Sequence, residues 1–347
     1  MRKKSKKILL FFTLIIVFSF KLYATPIENQ ILLYGLHGVN ARALGLGDAY
    51  VSLADASSIY WNPGALGKLS KPELFLSHSN IQKYQYKFYD SDINNEFLSL
   101  VLSSKYGDFG FCSNYMNNTF DFVDEFFGYG KWNEAVKKIG IAYSKEIIKP
   151  LSLGATYNYF EYSCYSEQLY SHSFNFGALF NFYEKFTVGF AYRNIAPDLQ
   201  FKIDNDNDGL INEDLYDEID NDGDGLIDED CEELPFPLLK NFSLGFSTFL
   251  LKNTNYDLLL TYQFDKVEKD SKNSINNSKV GIEYRFNDIF LRLGYQSNYY
   301  SDRISWGVGY QFDISNLTTK IDFAYSHNTE SYSSIGDQFV VSTIIQF

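Results

Sequence analysis

Cysteine, proline, methionine and histidine are all scarce, at 3, 7, 2 and 4 of 347 residues. Cys112, Cys164 and Cys231 are widely spaced and form no CxxC pair, so neither a disulfide framework nor a zinc site is signalled. No segment after Lys21 offers the ~18 consecutive apolar residues of a transmembrane helix. Clustered Lys and Arg are missing from the body of the chain, and acidic residues outnumber basic ones 43 to 30. Binding phosphates takes clustered cations, so no nucleic-acid partner is expected. His37, His78, His172 and His327 lie far apart, and no nucleophile, base and orienting group can be assigned among them. No enzyme is expected.

What the chain has in plenty is aromatic: 28 Tyr and 32 Phe, with hydrophobic residues at 45%. That supplies the apolar surface of a large folded unit and argues against disorder. The formal charge of −13 is unevenly placed. Asp204 to Glu233 contains fifteen acids and no Lys or Arg, while residues 1–24 contain six basic residues and no acid. The rest is close to neutral.

Residues 1–24 read as a secretory signal peptide: a basic stretch, an apolar run from Ile8 to Phe20, and Leu22-Tyr23-Ala24 as an approximate cleavage site. Lys21 ends the run well short of the ~20 residues of a spanning helix.

The mature chain alternates with period two. Phe186, Val188, Phe190 and Tyr192 share one face, with Thr187, Gly189, Ala191 and Arg193 on the other. The pattern recurs in Val280, Ile282, Tyr284 and Phe286 against Gly281, Glu283 and Arg285, and in Ile304, Trp306, Val308 and Tyr310 against Ser305, Gly307 and Gly309. A soluble sandwich also alternates. Segments of about ten residues, a glycine-bearing polar face with isolated charges, and an apolar face rich in aromatics instead favour a transmembrane antiparallel β-barrel.

Fourteen strands are predicted, at 73–82, 96–104, 108–117, 136–147, 150–162, 171–183, 185–194, 240–251, 254–265, 276–286, 288–298, 303–313, 318–329 and 335–347. Connections after even-numbered strands are tight, as at Asn287 or Lys252-Asn253, whereas Asn118 to Ala135, Ile195 to Leu239 and Lys266 to Ile275 are long. Short turns at one end and long loops at the other are what an outer-membrane barrel shows, and a sandwich gives no reason for them. The polar face carries Arg193, Glu283, Arg285, Arg292 and Asp322 as candidates to line the lumen.

Before the first strand, Gly38 to Leu66 is rich in Gly, Ala and small polar residues. Gly45-Leu46-Gly47 lacks a preceding strand and the third Gly of a dinucleotide loop. Small residues suit a segment packed inside a lumen, and residues 25–70 are predicted as a plug within an organisation whose barrel spans 71–347. Gly38, Ala41, Arg42, Gly45, Gly47, Ala49, Asp55, Ala56 and Ser57, followed by Asn62-Pro63-Gly64-Ala65-Leu66, resemble the opening of the PorV/PorQ family of FadL-like outer-membrane proteins. Asn62, Pro63 and Gly64 are the core of that plug motif. The resemblance implies a fourteen-strand barrel with a plugged lumen in the bacterial outer membrane. Its implied roles diverge: passage of hydrophobic or small solutes in FadL-type members, handling of secreted proteins by type IX secretion machinery in the PorV type.

The acidic segment holds DNDNDGLINED from Asp204 and DNDGDGLIDED from Asp220, a direct repeat offset by 16. Asp at alternate positions with Gly at the sixth matches a calcium loop: hard oxygen ligands, with Gly permitting the turn. The expected ligands are Asp204, Asp206, Asp208, Asn212 and Asp214, then Asp220, Asp222, Asp224, Asp228 and Asp230. Leu215 and Cys231 replace the closing Glu of an EF-hand, so the pattern resembles thrombospondin type 3 repeats more closely. Calcium is therefore the expected cofactor, and outer-membrane lipid, hydrophobic small molecules, and secreted proteins or secretion machinery are the expected partners. A solvated acidic tract and a soluble secreted β-protein are the blander alternatives.

Overall fold

The computed structural model describes residues 38–82, 91–124, 128–164, 167–182, 185–196, 200–201, 238–268, 274–297, 302–329 and 336–347. Its strands are β1 (Glu73–Gln82), β2 (Ser91–Ser104), β3 (Gly107–Asp124), β4 (Gly128–Ile148), β5 (Leu151–Cys164), β6 (Glu167–Phe182), β7 (Phe186–Ile195), β8 (Gln200–Phe201), β9 (Lys240–Lys252), β10 (Tyr256–Glu268), β11 (Ser274–Phe286), β12 (Ile289–Ser297), β13 (Arg303–Ile314), β14 (Leu317–Asn328) and β15 (Gln338–Gln346). Neighbours in sequence pair antiparallel, β7 passes to β9, and β1 closes the ring on β15 through nine residue pairs from Glu73↔Gln346 to Ile81↔Gln338. Fourteen strands form a closed barrel. The two-residue β8 is an appendage on the outer stretch of β6, opposite Leu169 and Tyr170.

Closure leaves no edge, and the alternation then has only two places to point. One set of side chains faces outward as an apolar band that water would not tolerate at this size. Leu293 is 65% exposed, Ile141 59% and Trp306 46%. The other set faces the lumen, where it meets the core: Tyr50, Ile59, Trp61 and Leu66 of the N-terminal segment pack on Phe75, Phe97, Val101 and Ile344 of the wall. Among the described residues no helix is long and apolar enough to cross a membrane. The crossing elements are strands.

The tight turns fall at one end as expected. Two expected loops are shorter than their composition suggests. Asn118 to Ala135 was expected as a loop, but β3 and β4 stay paired through Asn118↔Glu134 to Asp124↔Gly128, leaving only 125–127 between them. Likewise β10 runs to Glu268 and β11 starts at Ser274. Above the lipid both faces of a hairpin can be wet, so the hydrophobic alternation that marks a strand within the bilayer fades there. The acidic segment, with all ten expected calcium ligands, lies outside the described residues, as do residues 1–37.

Candidate functional site in the plugged lumen

The plug begins with α1 (Ala41–Gly45), capped by the Asn40 side chain, which accepts from the Arg42 N–H at 2.7 Å. Gly47 and Asp48 then adopt left-handed φ values of 64° and 59°. This turns the chain so that Ala49 to Leu53 can cross the lumen. Asp55 organises the next turn, accepting from the Ser57 N–H at 2.9 Å, the Ser57 hydroxyl at 2.5 Å and the Tyr50 hydroxyl. A short helix α2 (Ser58–Trp61) follows. Asn62 then does three jobs: its Oδ1 accepts from the Gly64 N–H at 3.0 Å, and its Nδ2 donates to the carbonyls of Val51 (2.7 Å) and Ala178 (3.0 Å). Pro63 starts the 3-10 helix Pro63–Lys68, where its missing N–H costs nothing. The motif residues thus tie the plug to itself and to β6.

Backbone packs directly against wall backbone. A Cβ on Gly177 would overlap Asn62, one on Gly154 the Pro63 carbonyl, one on Gly189 the Val51 carbonyl, and one on Gly294 the Gly47 amide. These strand glycines are therefore a contact surface, which a side chain would close.

An ionic network spans plug and wall. Arg42 reaches Glu283 of β11 through two bonds, Nε to Oε2 at 2.9 Å and Nη2 to Oε1 at 2.7 Å. Arg292 of β12 donates to Glu283 at 2.6 Å and to Asp322 of β14 at 2.8 Å. Its side chain and those of both carboxylates are buried. Removing Arg292, which bridges the two carboxylates, would take the closest cation from buried Asp322 and one of two from Glu283, leaving buried charge poorly compensated. A second pair, Lys279 with Asp265 at 2.7 Å, sits near Trp61, and Asp265 also takes a bond from Gln263 at 2.7 Å.

Of the five residues expected to line the lumen, Arg193, Glu283, Arg292 and Asp322 are buried inside it. Arg285 is placed elsewhere. It sits at the turn end of the barrel, bonded to Asp257 at 2.8 Å and to the carbonyls of Asn253, Thr254 and Asn287. Parity gives the face of a strand residue but not its height, and Arg285 lies only two residues before a turn.

Lys138, Asp265 and Lys279 escaped notice in the sequence, although each follows the same alternation as its neighbours on β4, β10 and β11. The described histidines stand on the outer wall, His78 with Glu96 at 2.6 Å, His172 with Tyr157 at 2.5 Å, and His327 with Asp337 at 2.9 Å. Among the described residues no group of three or more His, Cys, Asp or Glu could hold a metal.

No protein-family model and no curated protein matches the chain. Solved structures do. The Ralstonia pickettii toluene transporter TbuX is similar over 90% of this chain and 99% of its own, with a TM-score of 0.60 at 14% identity. A Pseudomonas aeruginosa FadL homologue covers 89% and 98% (0.57, 14%), and the Pseudomonas putida toluene transporter TodX 87% and 96% (0.57, 11%). At such identities the shared property is the fold, a closed fourteen-strand antiparallel barrel of the outer-membrane kind.

Proposed function

We propose that the protein is an outer-membrane barrel for the passage of small hydrophobic solutes, regulated by its plug. The observation that carries this reading is the separate segment standing across the lumen of a closed, lipid-facing barrel, attached by reversible contacts: two bonds from Arg42, the amide of Asn62, and packing on glycine. The likeness to barrels described as toluene transporters and a FadL homologue supports the solute class. Planar-bilayer conductance and liposome uptake test it. Deleting residues 25–70 should raise both, and a barrel that passes nothing even without them refutes the reading.

One observation favours a second role as a PorV/PorQ-type scaffold for type IX secretion. β3 and β4 are the longest strands, at 18 and 21 residues, and their paired extension stands at the same end of the barrel as the connection carrying the acidic segment. That end would present secreted proteins or secretion machinery with a platform. Calcium bound by Asp204, Asp206, Asp208, Asn212 and Asp214, and by their counterparts from Asp220, would neutralise the segment and order it. Two measurements apply: calorimetric calcium titration, with heat lost in Asp220→Ala/Asp222→Ala, and pull-down of exported proteins with and without residues 204–233. No saturable heat removes the calcium site. Partners that persist without the segment remove it as the platform.

A further inference from the structure

The turn end of the barrel is charged unevenly around its circumference. Lys71 precedes β1, Lys105 lies in the β2–β3 turn, Lys145 and Lys149 flank the end of β4, Lys185 precedes β7 and Lys252 ends β9. Neighbours in sequence are neighbours in the sheet, so these turns follow one another along the arc from β1 to β9. All six lysines are exposed, and none forms a salt bridge among the described residues. Of the carboxylates at the turn end of that arc, Glu73 and Asp108 are buried, Glu146 is taken by Lys68 at 3.2 Å, and Glu184 lies outside the described residues. The remaining arc, β10 to β14, has the opposite balance. Its turn end carries Asp257, Asp288 and Asp313, and Arg285 there is already bonded to Asp257.

The lysines are set among apolar side chains at the edge of the outer band. Lys105 Nζ lies 4.9 Å from the ring centroid of Tyr106, and Lys252 Nζ 5.1 Å from that of Phe249. Tyr106 is 66% exposed, and the Tyr143 hydroxyl donates to its carbonyl at 2.7 Å, so two tyrosines stand together beside Lys105. Lys145 alternates between exposed Tyr143 and Ile147, and Lys149 follows exposed Ile148. Aromatic rings and lysine stems at the rim of an apolar band are the pattern of a membrane–water interface, where the stem covers apolar surface and the ammonium reaches headgroup level. The apolar edge continues on the other arc, where Phe286, Ile289, Ile314 and Leu317 are exposed. Charge is what distinguishes the two arcs.

We propose that the six lysines from Lys71 to Lys252 form a crescent that binds the headgroups of anionic phospholipids, gathering them along the β1–β9 side of the barrel and not along β10–β14. Ammonium groups held at headgroup depth attract lipid phosphate, and each added lysine strengthens that attraction. Short turns face the periplasm in barrels of this kind, which makes the leaflet the inner one. The plug ends on the same arc: Lys68, which closes the Pro63–Lys68 helix, donates to the Lys149 carbonyl at 3.1 Å. Lipid held by Lys71 and Lys149 therefore flanks the point where the plug joins the wall. The inference does not depend on which solute passes.

The test places a tryptophan reporter on each arc of the full chain, Tyr106→Trp on the crescent and Ile289→Trp opposite. Each is read as the difference from the parent chain in vesicles that mix phosphatidylcholine with brominated phosphatidylglycerol. Quenching should report at least a threefold preference for phosphatidylglycerol in the Tyr106→Trp chain and none in the Ile289→Trp chain. Salt at ~1 M, where the Debye length is about 3 Å, should remove the preference. Changing the six lysines to Gln in the Tyr106→Trp chain should remove it as well, and changing them to Arg should keep it, with heat-modifiable migration retained. Should the sixfold Gln chain fail to fold, Lys71→Gln/Lys105→Gln/Lys145→Gln and Lys149→Gln/Lys185→Gln/Lys252→Gln replace it, and each should lower the preference. Equal quenching of the two reporters, or a preference that survives loss of the lysines, overturns the crescent. An acidic protein is the competing occupant: saturable binding of soluble polyglutamate to the detergent-solubilised chain, with no preference for phosphatidylglycerol in vesicles, assigns the lysines to it and overturns the lipid.

Discussion

Single residues in the plug carry charge where charge is costly. Burial holds the Asp48 carboxyl above its ordinary range, with Lys279 and Arg303 opposing only in part. A carboxyl raised on folding favours the folded state most at pH values below its ordinary pKa of ~3.9, and that contribution is lost as pH rises through the raised value. Asp48→Asn removes this dependence and keeps a residue type that tolerates the left-handed φ of 59°. Its heat-modification temperature should therefore exceed that of the wild type at pH 7 and fall less between pH 4 and pH 8. Arg42 acts differently, because Glu283 retains Arg292 when Arg42 is lost. Arg42→Met should loosen the plug, read as faster proteolysis of the N-terminal segment and more frequent channel openings, with the barrel's own heat-modification temperature almost unchanged.

At the scale of elements, the glycine-bearing faces of the strands were legible in the alternation, but their purpose was not. Gly294 and Gly110 look alike in sequence, each on the inward face of a strand. A Cβ on Gly294 would overlap the Leu46–Gly47 backbone, which cannot yield without lifting α1, whereas a Cβ on Gly110 meets the flexible Cδ1 of Ile59 at 2.9 Å. Gly294→Ala should raise conductance and expose the plug to protease, and Gly110→Ala should do neither. The β3–β4 pair shows the converse limit. Its alternation is lost past Asn118 and Ala135, so a hairpin was expected as a loop, although the backbone ladder continues regardless of side-chain pattern.

For the whole molecule, stability depends on an outer surface that only a bilayer can cover. Leu293, the most exposed aliphatic residue of the band, makes the point testable. Leu293→Arg should cost about 2 to 4 kcal/mol of folding free energy in lipid vesicles if it lies near the midplane, and little in detergent micelles that deform around the charge. Fractionation with outer membranes and heat-modifiable migration are the matching checks on the full chain. The fourteen strands were countable beforehand because period-two alternation is imposed by the contrast between lipid and lumen, a contrast every spanning strand experiences.

Amino-acid order alone determined the strand number, the end of the barrel at which the tight turns fall, and the existence of a small-residue segment ahead of the barrel. These are local properties, set by which side chains fall on which face and where turn residues interrupt them. Only the tertiary structure decided which inward charges meet. Arg42 and Glu283 are 241 positions apart. Closing the ring brings β11, β12 and β14 around α1 to pair Glu283, Arg292 and Asp322, while Lys138 and Arg193, equally inward by parity, meet the ring of Tyr60. Parity specifies a face, but height in the barrel and position around its circumference are fixed only when the sheet closes on its plug.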